Sequence, residues 1–199
     1  MTDNAQQVAG LLLAAGGGRR LGGRPKALLE HRGRPLVEYA VGVLRAAGCT
    51  RVHVVLGAGA AAVRERAELG DCVLVENPDW ADGMGSSLRA GLDSLTGTGA
   101  GAALVSLVDQ PGIGAEAVGR VLAAYESRES LVSAAYDGVR GHPVLFGVSH
   151  WAGITATATG DRGARAYLRA HEEAITLVEC GDVAQPYDID TAADLKHLE

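Results

Sequence analysis

The sequence predicts an α/β fold, a three-layer sandwich in which helices cover both faces of a mostly parallel sheet, with a small antiparallel extension. Three observations predict it. Apolar residues make up 47% of the 199 residues, which is enough for a substantial core. Short β-rich runs alternate with helical patterns, which favours right-handed crossovers between parallel strands. The first of these runs are almost wholly apolar, as expected for strands covered on both faces.

The predicted strands are short β-rich runs, each bounded by Gly, Asp or Asn. Between them, apolar residues recur at the spacing of one face of a helix. Two such patterns run from Leu36 to Ala47 and from Val118 to Tyr125. The strands are predicted at 8–13, 52–56, 73–75, 103–108 and 131–134.

The pattern changes after about residue 135. The segment YDGVRGHPVLFG alternates around Gly138 and Gly141 and predicts a hairpin. The segment GDRGARAYLRAH predicts a helix that Asp161 caps. We expect these two segments to form the antiparallel extension, beside the cleft that holds the active site.

Charge and composition exclude several classes of protein. A formal net charge of -6 disfavours a nucleic-acid or anionic-membrane binder, which needs a broad basic face. Cys49, Cys72 and Cys180 are odd in number and widely spaced, which predicts buried thiols rather than disulfides or a zinc site. The first residues, MTDNAQQ, do not read as a signal peptide, and no apolar run is long enough for a membrane span. We therefore expect one cytoplasmic domain over residues 1–199.

The stretch LLLAAGGGRRLGGRPKALL, residues 11–29, is glycine-rich and basic directly after a predicted strand. Glycines let backbone N–H groups approach an anion closely, and a helix that follows adds its positive N-terminal end. Six of the 18 Lys and Arg residues fall between positions 18 and 34, where Glu30 is the one acidic residue. Such clustering in an acidic protein predicts a polyphosphate ligand. The six are Arg19, Arg20, Arg24, Lys26, Arg32 and Arg34.

Two well-known phosphate motifs do not fit this loop. The Walker pattern GxxxxGK[ST] fails because Ala27 follows Lys26, and the Rossmann pattern GxGxxG fails because Leu21 stands at the third glycine. A looser GxGxxA pattern starts at Gly57, with Glu76 nineteen residues later. That second pattern leaves open either a dinucleotide site or a plain tight turn between a strand and a helix.

Six segments together identify a family resemblance. The stretch LAAGGGRRLGGRPKALL resembles the LAAGxSxRMGxxK signature of MobA-like nucleotidyltransferases, which act on the molybdenum cofactor. NPDWADGMGSSLRAGL, LVDQP, GHPVLF, GDRGAR and DIDTAADL follow in the family's order, most similar to its cytidylyltransferase branch. The resemblance implies one NTP-transferase domain with the Rossmann-like sheet of the nucleotide-diphospho-sugar transferases.

The resemblance implies a magnesium site made by two aspartates. Asp109 ends the apolar run AALVSLV, and ligands of open α/β sheets gather at the carboxyl ends of strands. Mg²⁺ takes a few hard oxygen ligands together with phosphate oxygens. Asp190, in YDIDTAADL, matches the second metal position, although it or Thr191 also suits a helix cap. Asp188, two residues earlier, shares a face with Asp190 on an extended segment.

The phosphate contacts are assigned to Lys26 and Arg20, which would also stabilise the departing pyrophosphate. Gly18 and Leu21 stand where the family usually has Ser and Met, so one side-chain contact to phosphate is in doubt. Catalytic roles therefore fall to Lys26, Arg20 and Asp109. The expected nucleotide-binding residues are Leu13, Ala14, Ala15, Gly16, Gly17, Gly18, Arg20, Lys26, Gly83 and Ser87.

Base recognition is expected from the main chain of Leu13 and Ala14 and from the segment GMGSSLRAGL, although its serines also suit helix caps. The AAG sequence, in place of AGG, resembles the cytidylyltransferase branch, and this resemblance favours CTP over GTP. His142 could contact the acceptor but also suits a turn, and Trp80 could stack on a ring but more readily pins its loop. Asp161 and Arg165 are explained by helix capping and exposure.

The expected reaction moves a nucleoside monophosphate from an NTP to a phosphorylated acceptor such as a pterin. A phosphate monoester has its second pKa near about 6, so it can attack the α-phosphate without a protein base. The protein then has to position the NTP and the acceptor and to neutralise the charge on the phosphates. Three alternatives stay open: another phosphorylated acceptor, a regulatory nucleotide binder, and an NAD(P)H-dependent oxidoreductase of the nicotine-blue type.

Overall fold

A computed structural model describes residues 7–198, which build a seven-stranded sheet and a separate two-stranded sheet. The large sheet has the strand order β5-β4-β1-β6-β8-β7-β9, and β2 pairs with β3 in the small one. The strands are β1 (Val8–Ala14), β2 (Glu30–His31), β3 (Arg34–Pro35), β4 (Val52–Leu56), β5 (Val73–Glu76), β6 (Ala102–Leu107), β7 (Leu131–Tyr136), β8 (Val139–Gly147) and β9 (Thr176–Glu179).

Helices cover both faces of the large sheet, which confirms the predicted layers. The α-helices of the described residues are α1 (Leu36–Ala46), α2 (Ala60–Arg66), α3 (Met84–Leu95), α4 (Ala115–Ala123), α5 (Val148–Thr157) and α6 (Arg165–Ala170). Short 3-10 helices connect them at Arg19–Leu21, Lys26–Leu28, Trp80–Asp82, Gly160–Arg162, Glu172–Ala174 and Ala192–Leu198. No helix within residues 7–198 has the length and apolarity that crossing a membrane requires.

Strand β1 is buried along its whole length because helices pack on both of its faces. Leu12 lies in the core cluster beside α1 and α4, whereas Leu11 lies in the cluster beside α3 and α5. Successive side chains of a strand point to opposite faces, so one apolar run supplies both cores. Both leucines are fully buried, and each such burial is worth about 1.5–3 kcal/mol.

The predicted hairpin forms as β7 and β8, and it is part of the main sheet, between β6 and β9. Strand β8 pairs antiparallel with both β6 and β7, and it is the one strand of the large sheet that runs against the others. The pairing shifts between Ser133 and Ala134, so β8 carries a bulge around His142. Because Val105 of β6 lies opposite Val144, the first half of β8 extends past the carboxyl end of β6.

Three local expectations were wrong. The helix after residue 160 is not capped by Asp161, because a 3-10 turn holds Gly160–Arg162 and α6 begins only at Arg165, after Ala164. The glycine-rich loop runs into 3-10 turns, so no α-helix N-terminus stands directly behind it. Cys49 and Cys180 are buried as expected, but Cys72 is half-buried.

Candidate active site

The sheet topology opens a cleft of about 730 Å³ at the carboxyl ends of β1 and β6. The loop after β1 forms one wall, and the first turn of α3 covers it. Residues of β8 and of the segment before α6 also line it. This is the position where ligands bind in open α/β sheets.

The loop after β1 presents unused backbone donors to the cleft. The carbonyl of Gly16 accepts from the N–H of Lys26, and the carbonyl of Gly18 accepts from Leu21 and Gly23. Within residues 7–198, no protein acceptor binds the N–H groups of Gly16, Gly17 and Gly18. Gly18 has φ 58°, and a Cβ there would collide with the carbonyl oxygen of Arg24. Glycine at this position is therefore required by the backbone, which offers N–H groups instead of a hydroxyl.

Trp80 packs over the glycines of two loops. A Cβ on Gly17 would lie 2.7 Å from Cζ3 of the indole, and a Cβ on Gly57 would collide with Cβ of Trp80. The indole therefore pins the loop and also lines the cleft. It covers the GxGxxA segment at Gly57, and Glu76 is bonded to Arg64 at 3.0 Å. The second glycine motif accordingly forms a tight turn filled by protein.

Lys26 joins two carboxylates at the floor of the cleft. Its Nζ lies 2.6 Å from Oδ2 of Asp109 and 2.5 Å from Oδ1 of Asp190. Burial of the ammonium opposes its charge, but Asp109 and Asp190 outweigh burial and raise the pKa of Lys26. One cation thus already bridges the two aspartates, which are 81 residues apart in the sequence.

The segment that carries Asp190 is held by its own hydrogen bonds. The N–H of Ile189 donates to the carbonyl of Asp109 at 2.9 Å. The carboxylate of Asp194 accepts from the N–H groups of Asp190 and Thr191 and from the Thr191 hydroxyl. Asp194 is therefore the capping carboxylate, and the Asp190 side chain is left to face Lys26.

Asp188 adds a third carboxylate on the same wall. The Gln110 side-chain amide donates to its Oδ1 at 2.9 Å. Burial and the nearby Asp109 raise the pKa of Asp188 above its usual range. Within residues 7–198, however, no three acidic, histidine or cysteine side chains form a group able to hold a metal ion.

The first turn of α3 lies against the cleft without a side-chain cap. Gly83 precedes it with φ 109°, and a Cβ there would lie 2.6 Å from Oδ1 of Asp161. Ser86 and Ser87 lie inside the helix, where buried Asn77 donates to both hydroxyls. They do not cap it, and Ser87 lines the cleft.

The structure brings nearly all of the expected site residues to this cleft. Ala14 is the exception, because its side chain packs in the core cluster beside α1. Arg19, expected to be a solvated neighbour, also lines the cleft and donates to the carbonyl of Ala81 at 3.3 Å. The expected residues on its walls are Leu13, Ala15, Gly16, Gly17, Gly18, Arg20, Lys26, Gly83, Ser87, Asp109 and Asp190.

Some lining residues were missed or undervalued by sequence reasoning. Asp161 and Arg165, attributed to capping and exposure, both line the cleft. Gln110 and Arg140 were not singled out. Gln110 directly follows Asp109, so its position after the end of β6 was a usable signal. Arg140 lies in the hairpin that was expected beside the cleft, but only the pairing of β8 with β6 shows that this residue lines it.

Comparison with known proteins assigns the family. The model of the MobA-like NTP transferase domain matches residues 10–175. This chain belongs to the MobA-like NTP transferase family. Its fold is that of the nucleotidyltransferases, and the match spans the glycine-rich loop, Asp109 and β8 but ends before Asp190.

Three relatives of this MobA-like chain differ in what their names say. A protein of Paenarthrobacter nicotinovorans named nicotine blue oxidoreductase is 42% identical, over 96% of both chains. A molybdenum cofactor guanylyltransferase of Rhodobacter capsulatus is 32% identical, over 92% of this chain and 85% of its own. A Mycobacterium tuberculosis H37Rv protein in complex with manganese is 27% identical with a TM-score of 0.75, covering 96% of this chain and 97% of its own.

Proposed function

We propose that this protein binds a nucleoside triphosphate in the cleft and transfers its nucleoside monophosphate to a small phosphorylated acceptor, releasing pyrophosphate. The observation that carries the proposal is the Lys26 ammonium between two carboxylates, directly below a glycine loop with unused N–H groups. A site that combines donors for phosphate with carboxylates for a divalent cation suits a metal-bound polyphosphate.

The donor set fits Mg²⁺. Asp109 and Asp190 each present an oxygen to the same small cation, and carboxylate oxygens are ligands that Mg²⁺ prefers. Mg²⁺ usually takes one or two carboxylates and completes its shell with phosphate oxygens and water, so a larger cluster is not needed. When bound, the metal would neutralise charge on the phosphates of the NTP. The manganese complex of the Mycobacterium tuberculosis relative supports a divalent cation in this family.

The chain's own residues would position the phosphates and neutralise their charge. The N–H groups of Gly16, Gly17 and Gly18 would bind phosphate oxygens, and Arg20 and Lys26 would stabilise charge on the departing pyrophosphate. No protein base is needed, because the phosphate of the acceptor is ionised at neutral pH with a second pKa of about 6. Asp109 and Asp190 would hold the metal, and Lys26, which bonds both carboxylates here, would then be free to bind a phosphate oxygen.

We propose CTP as the donor, because the AAG sequence of the loop resembles the cytidylyltransferase branch. The base would lie against Leu13, Gly83 and Ser87. The name of the Rhodobacter capsulatus relative supports GTP instead. The acceptor would be a phosphorylated pterin such as the molybdenum cofactor, or another small phosphorylated molecule, in the cytoplasm. Residues 1–199 would act as one domain.

A second candidate is NAD(P)H-dependent reduction in the same cleft. It is favoured by the 42% identity with nicotine blue oxidoreductase over 96% of both chains. A dinucleotide also carries two phosphates and would use the same glycine loop. Its reaction would not need Asp109 and Asp190 to hold a metal.

Thermal unfolding with a panel of ligands separates the two candidates. CTP, GTP, ATP, NADH and NADPH are each tested with and without Mg²⁺, since a ligand that binds the folded state raises Tm. Nucleotidyl transfer predicts that CTP raises Tm most, and only with Mg²⁺. A larger effect of GTP would change the donor, and stabilisation by NADPH alone, independent of Mg²⁺, would reject nucleotidyl transfer.

A further inference from the structure

We propose that His31 is a positioning residue for the metal site. Its ring N–H holds the far end of the 188–198 segment, which carries Asp190, and so keeps that carboxylate beside Asp109. This role rests on the proposed function in that Asp190 would hold the metal, whereas the attachment itself follows from contacts of the described residues. His31 does not line the cleft, so it would act through Asp190 and not through a ligand.

The 188–198 segment is attached at both of its ends. At its first end, three consecutive residues bond to Lys26 and to the loop after β6. At its other end, Nδ1 of His31 lies 3.1 Å from the carbonyl oxygen of Leu198. Within residues 7–198, the 3-10 helix Ala192–Leu198 receives no other hydrogen bond from outside the segment. Lys26 and His31 are close in sequence, so one short stretch of chain holds both ends.

The 3-10 helix in turn fixes the backbone at Asp190. Asp194, in the first turn of that helix, accepts from the N–H of Asp190 at 3.1 Å and from the N–H of Thr191 at 2.7 Å. A shift of the helix would therefore move the backbone of Asp190 and carry its carboxylate away from Asp109. Metal ligands have to be held within about 0.5 Å of their productive positions by the residues around them.

The chemistry of His31 fits a hydrogen-bond donor rather than a packing residue. The carbonyl of Leu198 can only accept, so Nδ1 of His31 carries the proton. The other ring nitrogen, Nε2, is shielded and has no partner within residues 7–198. An apolar side chain would fill the same space without leaving a buried nitrogen unpartnered, so packing alone does not account for histidine at this position.

The ring of His31 also contacts the side of the site that carries Asp109. It packs edge-on against Tyr39, with the ring centroids 4.6 Å apart. The Tyr39 hydroxyl donates at 3.4 Å to the carbonyl of Pro111, in the loop that begins at Asp109. His31 is only 4% exposed, so its ring is held by these neighbours. The segments of both aspartates therefore rest on the same pair of rings.

The attachment by His31 matters most when Lys26 changes partners. Under the proposed function, Lys26 would leave Asp190 to bind a phosphate oxygen, and the ion pair that ties the first end of the segment to Lys26 would be lost. The bond from His31 to Leu198 lies outside the cleft and takes no part in that exchange. It would keep Asp190 in place for the metal at that step.

The test compares His31→Leu, which removes the donor, with His31→Asn, whose side-chain amide can replace Nδ1 as a donor. Mn²⁺ binding to the full chain is measured by electron paramagnetic resonance. We expect His31→Leu to raise the Kd about tenfold, as for other groups that orient metal ligands, and His31→Asn to raise it less than about threefold. In an Asp190→Asn background, His31→Leu should change the Kd less than about twofold, because its effect passes through Asp190.

Amide hydrogen exchange gives a readout that needs no metal. The N–H groups of Asp190 and Thr191 should exchange about tenfold faster in His31→Leu and at nearly the original rate in His31→Asn, because the first variant frees the helix that holds them. In a Lys26→Met background, where Asp190 has lost its cation, the increase caused by His31→Leu should be larger.

The matched control is His53→Leu, which removes another buried histidine, bonded to Ser94 at 2.8 Å. It should change neither Mn²⁺ binding nor exchange at Asp190. Circular dichroism confirms folding of each variant. If His31→Leu is unfolded, His31→Gln replaces it, since its amide lies one methylene farther from the backbone and cannot take the place of Nδ1.

Two results would overturn the role of His31. One is equal Mn²⁺ affinity and equal exchange in His31→Leu and the original chain. The other is the same loss of Mn²⁺ affinity with and without the Asp190 carboxylate, since that loss would not pass through Asp190. Failure of the proposed function looks different: if the original chain binds neither Mn²⁺ nor nucleotide while exchange at Asp190 still depends on His31, the metal site is rejected and the attachment is supported.

Discussion

The two ends of the cleft carry positive charge in opposite ways. At the glycine-loop end, Lys26 is bonded to two carboxylates, and Arg19 and Arg20 are exposed beside it. At the β8 end, one guanidinium nitrogen of Arg140 is shielded and lacks a partner within residues 7–198. Exposed or paired cations suit a ligand that brings several charges and its own metal. A guanidinium nitrogen without accessible surface offers no hydrogen bond to a ligand in the cleft.

The two ends of the cleft are also expected to respond differently to a ligand. Under the proposed function, Lys26 would exchange Asp109 and Asp190 for phosphate, so binding at the glycine-loop end would rearrange existing ion pairs. Attraction between exposed charges is screened by salt, so nucleotide binding at the glycine-loop end should weaken as the ionic strength rises.

The largest expected effect is at Asp109. Asp109→Asn keeps the size of the side chain but removes the charge that would hold the metal at the glycine-loop end. We expect Mg²⁺-dependent release of pyrophosphate from the NTP to fall about a thousandfold, an effect of the size seen when one preorganised electrostatic group is lost. Pyrophosphate release and Mn²⁺ binding by electron paramagnetic resonance measure it.

The matched control is Asp93→Asn, which changes an exposed aspartate on α3. Unchanged Mn²⁺ affinity in Asp109→Asn would remove Asp109 from the metal site.

A smaller effect is expected at Lys26. In Lys26→Met, release of pyrophosphate should fall about a hundredfold, since a cation on the leaving group is lost. Affinity for Mn²⁺ without nucleotide should rise instead, because the ammonium no longer competes for Asp109 and Asp190. Calorimetry with Mn²⁺ measures this second effect, and a fall in Mn²⁺ affinity would contradict the exchange of partners.

The residues at the glycine-loop end were predicted from the sequence far better than those at the β8 end. Strands β1, β4 and β6 are continuous apolar runs with clear boundaries, so they were placed nearly to the residue. A residue at the end of such a strand, as Asp109 is, inherits a predictable position at the carboxyl edge of the sheet. The local sequence pattern therefore predicted most of the residues at this end of the cleft.

The β8 end depends on pairing that local pattern does not encode. The hairpin was predicted, but its insertion between β6 and β9 was not, and that insertion brings Arg140 to the cleft. Strand β9 was missed because it is an edge strand with exposed residues such as Leu177. Asp161 was assigned to a helix cap because its contact with the segment at Gly83 is tertiary.

A substitution at Gly17 tests how firmly Trp80 restrains the glycine-rich loop. In Gly17→Ala the new methyl group would lie 2.7 Å from the indole, and such overpacking costs about 1–3 kcal/mol of unfolding free energy. We also expect roughly tenfold weaker nucleotide binding, because the neighbouring N–H groups shift. Urea unfolding and calorimetry measure the two effects.

Gly42→Ala is the control, because nothing lies within 4 Å of a Cβ there and alanine favours the helix. It should raise the unfolding free energy slightly. Adding Trp80→Leu to Gly17→Ala should recover part of the lost stability, as expected for residues in contact. Strictly additive effects of the two substitutions would show that Trp80 does not restrain the loop.

The smallest expected effect is at His142, and it tests how strongly burial disfavours the charged form of this side chain. Burial lowers the pKa of His142 from 6.5 to about 4, so the unfolded chain binds a proton below pH 6.5 that the folded chain refuses until about pH 4. The unfolding free energy therefore falls as the pH drops from 6.5 to 4, by at most about 1.4 kcal/mol per pH unit. In urea unfolding, His142→Gln should make the dependence of the unfolding free energy on pH less steep. Part of that dependence should remain, because burial also lowers the pKa of His53. Equal slopes in the two proteins would mean that the folded chain does not disfavour the charged form of His142.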